Sequence, residues 1–330
     1  MPPPRELISV EHFDSSPFPL RHGRSAAGRP FFDQRDGTRR GRTTRHGTVL
    51  WEDQTYSDSS VLLCVPANFD ATRPATLVVY LHGNRARLER DVIKRQQLPR
   101  QVRDADINAL LIAPQFALDA PDSSAGRFAL RGVFQRFLAE AARKLEHLCR
   151  ARDLSGRMNS HLQAHAHQLA DLCRERDGPS PRLGLLQEAS VIVIAYSGGY
   201  CPAAAALSVG GARARVRGVV LLDALYDHEA LFAAWLHGRR RHAFLVSAYT
   251  HGTRSRNVQL RAQLRDRQLV YTLGLTTRLA VGTACLVPLD GSIDHADVVT
   301  RAWCEDPVTD ILRRAGPGLD TLGAARAPHG

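Results

Sequence analysis

The sequence predicts an α/β fold, a mostly parallel central sheet with helices on both faces, and three observations carry that prediction. Short apolar runs alternate with longer stretches of helical periodicity. Most of those runs are continuous rather than alternating, and the segments between them are long enough to hold crossover helices. A strand with one wet face alternates apolar and polar residues, so unbroken Val, Ile and Leu runs imply cover on both sides.

The runs, in order, are VLLCVP at 61–66, TLVVYLHG at 76–83, NALLIAP at 108–114, SVIVIAYS at 190–197, VRGVVLLD at 216–223, HAFLVSAY at 242–249 and TACLVPL at 283–289. The clearest helix lies at 131–150, where Phe134, Phe137, Leu138, Ala141, Leu145 and Leu148 recur at helical spacing between charged residues. After the second run, RARLERDVIKRQQLPRQVRD sets Leu88, Val92 and Ile93 on one face of a charged helix.

Residues 1–45 are rich in Pro, Gly and Arg and predict an extended lead-in on the surface. Residues 46–310 form one core domain, with a polar helical insertion at about 151–188 that includes a helix from Ser160 to about Arg176. Residues 311–330 are expected to be a flexible tail.

Composition bounds the function. With 330 residues, 44% hydrophobic and 23% charged, the chain can bury a sizeable core, which excludes wholesale disorder. The net charge of +11 is concentrated: residues 21–46 hold eight arginines (Arg21, Arg24, Arg29, Arg35, Arg39, Arg40, Arg42, Arg45) against Asp33 and Asp36. Lys94 and Lys144 are the only lysines, so 42 of the 44 cations are arginine, a uniform skew unlike a tailored phosphate track. With aromatics at 6% there are few stacking platforms, and no specific nucleic-acid partner is expected.

Cys64, Cys149, Cys173, Cys201, Cys285 and Cys304 are scattered, without the paired spacing of a structural zinc. No run approaches the roughly 20 apolar residues of a membrane span, and the start MPPPRELISVEHF has no signal-peptide core, so a cytoplasmic chain is expected, with export the alternative if the start site is misassigned.

Chemistry concentrates in VIVIAYSGGYCPAAAALSVGG, where a buried strand meets a small-residue turn and then an alanine-rich helix. Ser197 stands at the hinge. So sharp a turn crowds the positions two either side of the serine, and Ala195 and Gly199 are small. The Gly198 N–H and the helix N-terminus would face a developing oxyanion.

This segment resembles the nucleophile elbow of the α/β-hydrolase superfamily, with Ala195 in place of the first glycine of G-x-S-x-G. The resemblance covers about residues 48–305 and implies further parts. His82-Gly83-Asn84, ending VVYLHGN, is similar to the family's H-G-x turn, which makes Asn84 the second oxyanion donor and His82 a structural residue. His295, in DGSIDHADVV after the last apolar run, stands where the family keeps its general base. Asp223, closing VRGVVLLD, is assigned the acid, because several families of the superfamily carry it at the end of this strand and THGTRSRN, after the strand where many members place it, holds no carboxylate. Asp290 and Asp294 are rival acids, and Asp223 or Asp227 could instead cap a helix.

Other features carry less. Gln115, Asp122, Ser123 and Ser124 follow a strand end, and together with Tyr196 they are candidate pocket residues. His161, His165 and His167 lack an acid to complete a metal site, Cys201 packs under the elbow helix, and no nucleotide-phosphate motif follows any strand, so no cofactor is expected. The implied activity is attack by Ser197 on a small-molecule ester, thioester or amide, foremost a carboxylic ester. An acyltransferase with the same triad, and a silent binding protein on the same fold, are the alternatives. Acyl group, leaving group and oligomeric state are not encoded legibly.

Overall fold

The computed structural model describes residues 6–20, 23, 30–44, 47–157 and 186–319. All seven apolar runs are strands of one sheet: β5 (Ser60–Val65), β6 (Thr76–Leu81), β7 (Ala109–Pro114), β8 (Ser190–Tyr196), β9 (Val216–Leu222), β10 (Phe244–Tyr249) and β12 (Thr283–Pro288). Two strands not expected from the sequence complete it at the edges, β1 (Leu7–His12) and β11 (Val270–Leu273), in the order β1-β5-β7-β6-β8-β9-β10-β12-β11. From β7 to β11 every pairing is parallel; β5 runs antiparallel to β7, and β1 antiparallel to β5.

Cover on both faces explains the unbroken runs. In β6, Leu77, Val79 and Leu81 point into one core with Phe134, Phe137, Phe232 and Leu260, while Val78 and Tyr80 point into the other with Val92, Val102, Val308 and Ile311. The helices Val133–Arg157, Tyr200–Ser208, Glu229–Arg239 and Arg254–Asp266 supply the first layer, and Leu98–Asp104 and Pro307–Leu319 the second. The charged segment after β6 divides into a π-helix, Leu88–Arg95, and the helix Leu98–Asp104, with Leu88 and Val92 buried.

The structure differs from the sequence reading at both ends. Leu7–His12 alternates half-buried and exposed residues as an edge strand does, and Phe13, Phe18, Leu20 and Phe31 enter the core, so this part of the lead-in is structural. A second, three-stranded sheet comes next, of β2 (Gln34–Asp36), β3 (Arg39–Thr43) and β4 (Val49–Trp51). Its arginines are used internally: Arg39 lies over Trp51, Arg40 over Phe32 and Arg42 over Phe31, and Arg39 and Arg40 pair with Asp53 and Glu52.

At the other end, the expected tail is helix as far as Leu319, with Ile311, Leu312 and Ala315 buried. The expected insertion lies largely outside the described residues, and His161, His165 and His167 lie wholly outside them. Among the described residues, no helix is long and apolar enough to cross a membrane.

Candidate active site

Ser197 directly follows β8 with φ 52, in the left-handed region that disfavours a residue carrying a Cβ. The neighbouring contacts hold it there. A Cβ on Gly83 would stand 2.8 Å from the Ser197 Cβ, and one on Gly198 would stand 2.2 Å from Asn84 Oδ1. The H-G-N turn and the elbow therefore pack closely, with the Asn84 side chain against Gly198. Ser123 joins them, its hydroxyl donating to Asn84 Oδ1 at 3.0 Å.

Two loops from later strands complete the site. Asp223 comes directly after β9 with φ 45 and is 1% exposed. Its Oδ2 lies 2.6 Å from His295 Nδ1, and His295 Nε2 lies 2.9 Å from Ser197 Oγ. A carboxylate can only accept, so Nδ1 carries the imidazole proton and Nε2 presents its lone pair to the serine hydroxyl. The separation falls within the reach of a general base. Of the rival acids, Asp290 accepts the N–H of Ser292, and Asp294 precedes the turn His295–Asp297 without a side-chain cap bond. Asp227 accepts the N–H of His228.

The bonds around Asp223 explain how a buried acid stays charged. Thr250 N–H donates to Oδ1 at 3.0 Å, the Thr250 hydroxyl to Oδ2 at 2.7 Å, and the Thr253 hydroxyl to Oδ1. Burial pushes the carboxyl up, but the bonds from His295, Thr253 and Thr250 outweigh it and hold the group below the ordinary carboxylate range. Both threonines belong to THGTRSRN, the segment that has no carboxylate of its own; it supplies hydroxyls to an acid on the preceding strand.

The other expected pocket residues take different places. Gln115 is 1% exposed, and its amide bonds to Ala86 O, Phe116 O and the Leu88 N–H, so it struts the turn after β6 instead of lining a pocket. Asp122 is tied to the Tyr56 hydroxyl at 2.6 Å and to Ser124, whose hydroxyl also accepts from Arg42 at 2.7 Å. Tyr196 is 6% exposed, stacks on His295 with centroids 5.1 Å apart, and donates its hydroxyl to His295 O at 3.0 Å, holding the base rather than a substrate.

His82 is structural, as expected: burial lowers its pKa to about 4, Nδ1 donates to Gly83 O, and Nε2 accepts the Phe116 N–H. Burial raises the Cys201 thiol, which disfavours the reactive thiolate.

Sequence reasoning missed an aromatic group beside the imidazole. Tyr226, 38% exposed, meets His295 edge-on at 6.4 Å and lies 5.8 Å from Tyr200, which lies 6.0 Å from His228. It also missed Arg95, which donates to Ala296 O at 3.2 Å. Residues so far apart in the chain leave no local pattern to find. Among the described residues, no group of three His, Cys, Asp or Glu is placed to hold a metal ion.

No family model and no curated protein matches the sequence. Among solved structures, the chain is similar to a mutant feruloyl esterase module from Clostridium thermocellum complexed with sinapinate (TM-score 0.44, 11% identity, 89% of this chain and 90% of that one). It is also similar to a butyrate-bound thermophilic esterase from Thermogutta terrifontis (0.40, 11%, 82% and 91%) and to an S-formylglutathione hydrolase from Agrobacterium tumefaciens (0.38, 9%, 86% and 98%). Likeness at that level carries no functional weight. The fold rests on the chain's own architecture: a sharp strand-to-helix turn at Ser197, with Asp223 and then His295 arriving from later strands at the same sheet edge, is the α/β-hydrolase fold.

Proposed function

We propose that this chain is a serine hydrolase that cleaves a small-molecule carboxylic ester through an acyl-enzyme on Ser197. The observation that carries the proposal is the unbroken hydrogen-bond line from Asp223 through His295 to the Ser197 hydroxyl. In this reading His295 Nε2 takes the hydroxyl proton as Ser197 Oγ attacks the carbonyl carbon. The N–H groups of Gly198 and Asn84 receive the negative charge on the carbonyl oxygen, and the positive end of the helix Tyr200–Ser208 adds to them. His295 returns the proton to the leaving alcohol.

Water then enters, gives a proton to His295 and attacks the acyl carbon, and Ser197 leaves with that proton restored. Asp223 remains ionised throughout, fixing the tautomer and stabilising the imidazolium. A base so placed contributes roughly 10² to 10⁴ in rate. The line is preorganised: Tyr196 and Arg95 hold the backbone at residues 295 and 296, and the threonines hold Asp223, so little rearrangement precedes proton transfer.

The test is covalent labelling by a fluorophosphonate, which reports an activated serine without knowledge of the substrate. Wild type is expected to label once, at Ser197, and Ser197→Ala not at all. An unlabelled wild type, or undiminished labelling of the alanine variant, overturns the proposal.

A further inference from the structure

Among the described residues Asn84 makes a single hydrogen bond, and its partner is Ser123, whose hydroxyl donates to Asn84 Oδ1 at 3.0 Å. The Asn84 N–H therefore has no acceptor, although the next N–H along the chain, that of Arg85, donates to Ala120 O at 2.9 Å. A backbone donor left free beside a nucleophile is what a developing oxyanion requires. The turn that presents it takes φ 59 at Arg85, a conformation that only well-placed contacts will hold.

The loop that carries Ser123 is anchored on both sides of it. Asp122 accepts from the hydroxyl of the fully buried Tyr56 at 2.6 Å, and from the Ser124 N–H and hydroxyl at 3.0 and 2.6 Å. Arg42 donates to Ser124 Oγ at 2.7 Å, and earlier in the loop the Leu118 N–H donates to Thr55 O at 2.9 Å. Asn84, by contrast, is exposed. Water replaces either partner of so open a pair, so the bond from Ser123 adds little to stability. Its place is more informative: a Cβ on Gly198 would stand 2.2 Å from Asn84 Oδ1 and 2.7 Å from Ser123 Oγ. Both polar atoms lie over the residue that follows the nucleophile, leaving room there for hydrogen alone.

We propose, resting on the hydrolase reading, that Ser123 is a positioning residue of the oxyanion hole. Its hydroxyl ties the Asn84 side chain against Gly198 and so keeps the Asn84 N–H aimed at the carbonyl oxygen. Ser123 takes no proton and acts through Asn84. Its influence falls on the transition state, because the carbonyl oxygen of the bound ester carries far less charge than the oxyanion these donors are set to receive.

The second-order rate of fluorophosphonate labelling tests the proposal, because the phosphonyl oxygen of the reagent occupies the place of the oxyanion. Ser123→Ala is expected to label about tenfold more slowly than wild type, with an unchanged unfolding midpoint in urea. Removing a donor outright costs more, roughly 10² to 10³. Ser123→Thr keeps the hydroxyl and is expected to recover to within about threefold of wild type. Asn84→Ala keeps the backbone N–H but loses Oδ1, and is expected to match Ser123→Ala. The double variant is then no slower than either single one, since both changes break the same bond. Undiminished labelling of Ser123→Ala, no recovery in Ser123→Thr, or losses that add in the double variant overturn the proposal. A wild type that does not label removes the hydrolase reading and this inference with it, whereas a labelled wild type matched by Ser123→Ala refutes this inference alone.

Discussion

Replacing Asp223 with asparagine removes a charge and keeps the volume, and the hydrogen bonds around this side chain dictate how the site responds. Oδ1 accepts the Thr250 N–H, a fixed backbone donor, so the amide must keep its oxygen there and place its NH₂ at the Oδ2 position. That position faces the Thr250 hydroxyl, which can rotate to accept, and His295 Nδ1. An NH₂ group 2.6 Å from Nδ1 can be accommodated only if Nδ1 accepts, which moves the imidazole proton to Nε2. Ser197 then faces an N–H instead of a lone pair.

The expected loss is about 10⁴ in the rate of acylation, because the base is present but in the wrong tautomer. Stability is expected to fall by no more than about 2 kcal/mol, since the remaining bonds survive with a neutral acceptor. The assay is the second-order rate of fluorophosphonate labelling, alongside the unfolding midpoint in urea. Labelling within about tenfold of wild type, in a variant that is still folded, would refute the assignment of Asp223 as the group orienting His295.

The same residue governs the response to acid. Asp223 is held below the ordinary carboxylate value, so its contribution to stability is whole above the unfolded-state value of about 4 and is lost as pH falls through the lower folded-state value. The gap in unfolding free energy between wild type and Asp223→Asn is therefore expected to narrow between about pH 5 and pH 2, and a constant gap would contradict it. Tyr196→Phe keeps the stack on His295 but loses the bond to its carbonyl, and is expected to lower kcat about three- to tenfold with KM unchanged in steady-state kinetics. Gly199→Ala puts a Cβ 2.2 Å from Leu81 O, backbone of a central strand that cannot step aside. A loss of about 1–3 kcal/mol in denaturant unfolding is expected, with slower labelling as the elbow shifts.

Much of the molecule was legible because the informative features are local. A strand buried on both faces must be apolar throughout, and a turn at Ser197 must be flanked by small residues; both can be read within ten positions. Edge strands give no such signal. β1 has one wet side and β11 is half-exposed, so neither needs an unbroken apolar run, and β1 is embedded in Pro- and Arg-rich sequence. The arginines of β3 read as surface charge because the partners that occupy them, such as Phe32, Trp51 and Glu52, are chosen by the fold.

The same distinction runs through the site. Ser197 and Asp223 directly follow strands and His295 lies in the loop after the last long strand, positions a local reading can reach, whereas Thr253 and Arg95 act through contacts that exist only after folding. Gln115 and Tyr196 show the reverse error: placement near a strand end indicated a pocket, but their polar groups are consumed by the scaffold.

The positive φ at residue 197 puts durability and chemistry in opposition at a single codon. Glycine would relax that backbone and give a sturdier protein with no nucleophile, while any larger residue would strain it further. Selection for robustness alone would therefore favour glycine at this position, and under the proposed function the hydroxyl is kept for the reaction.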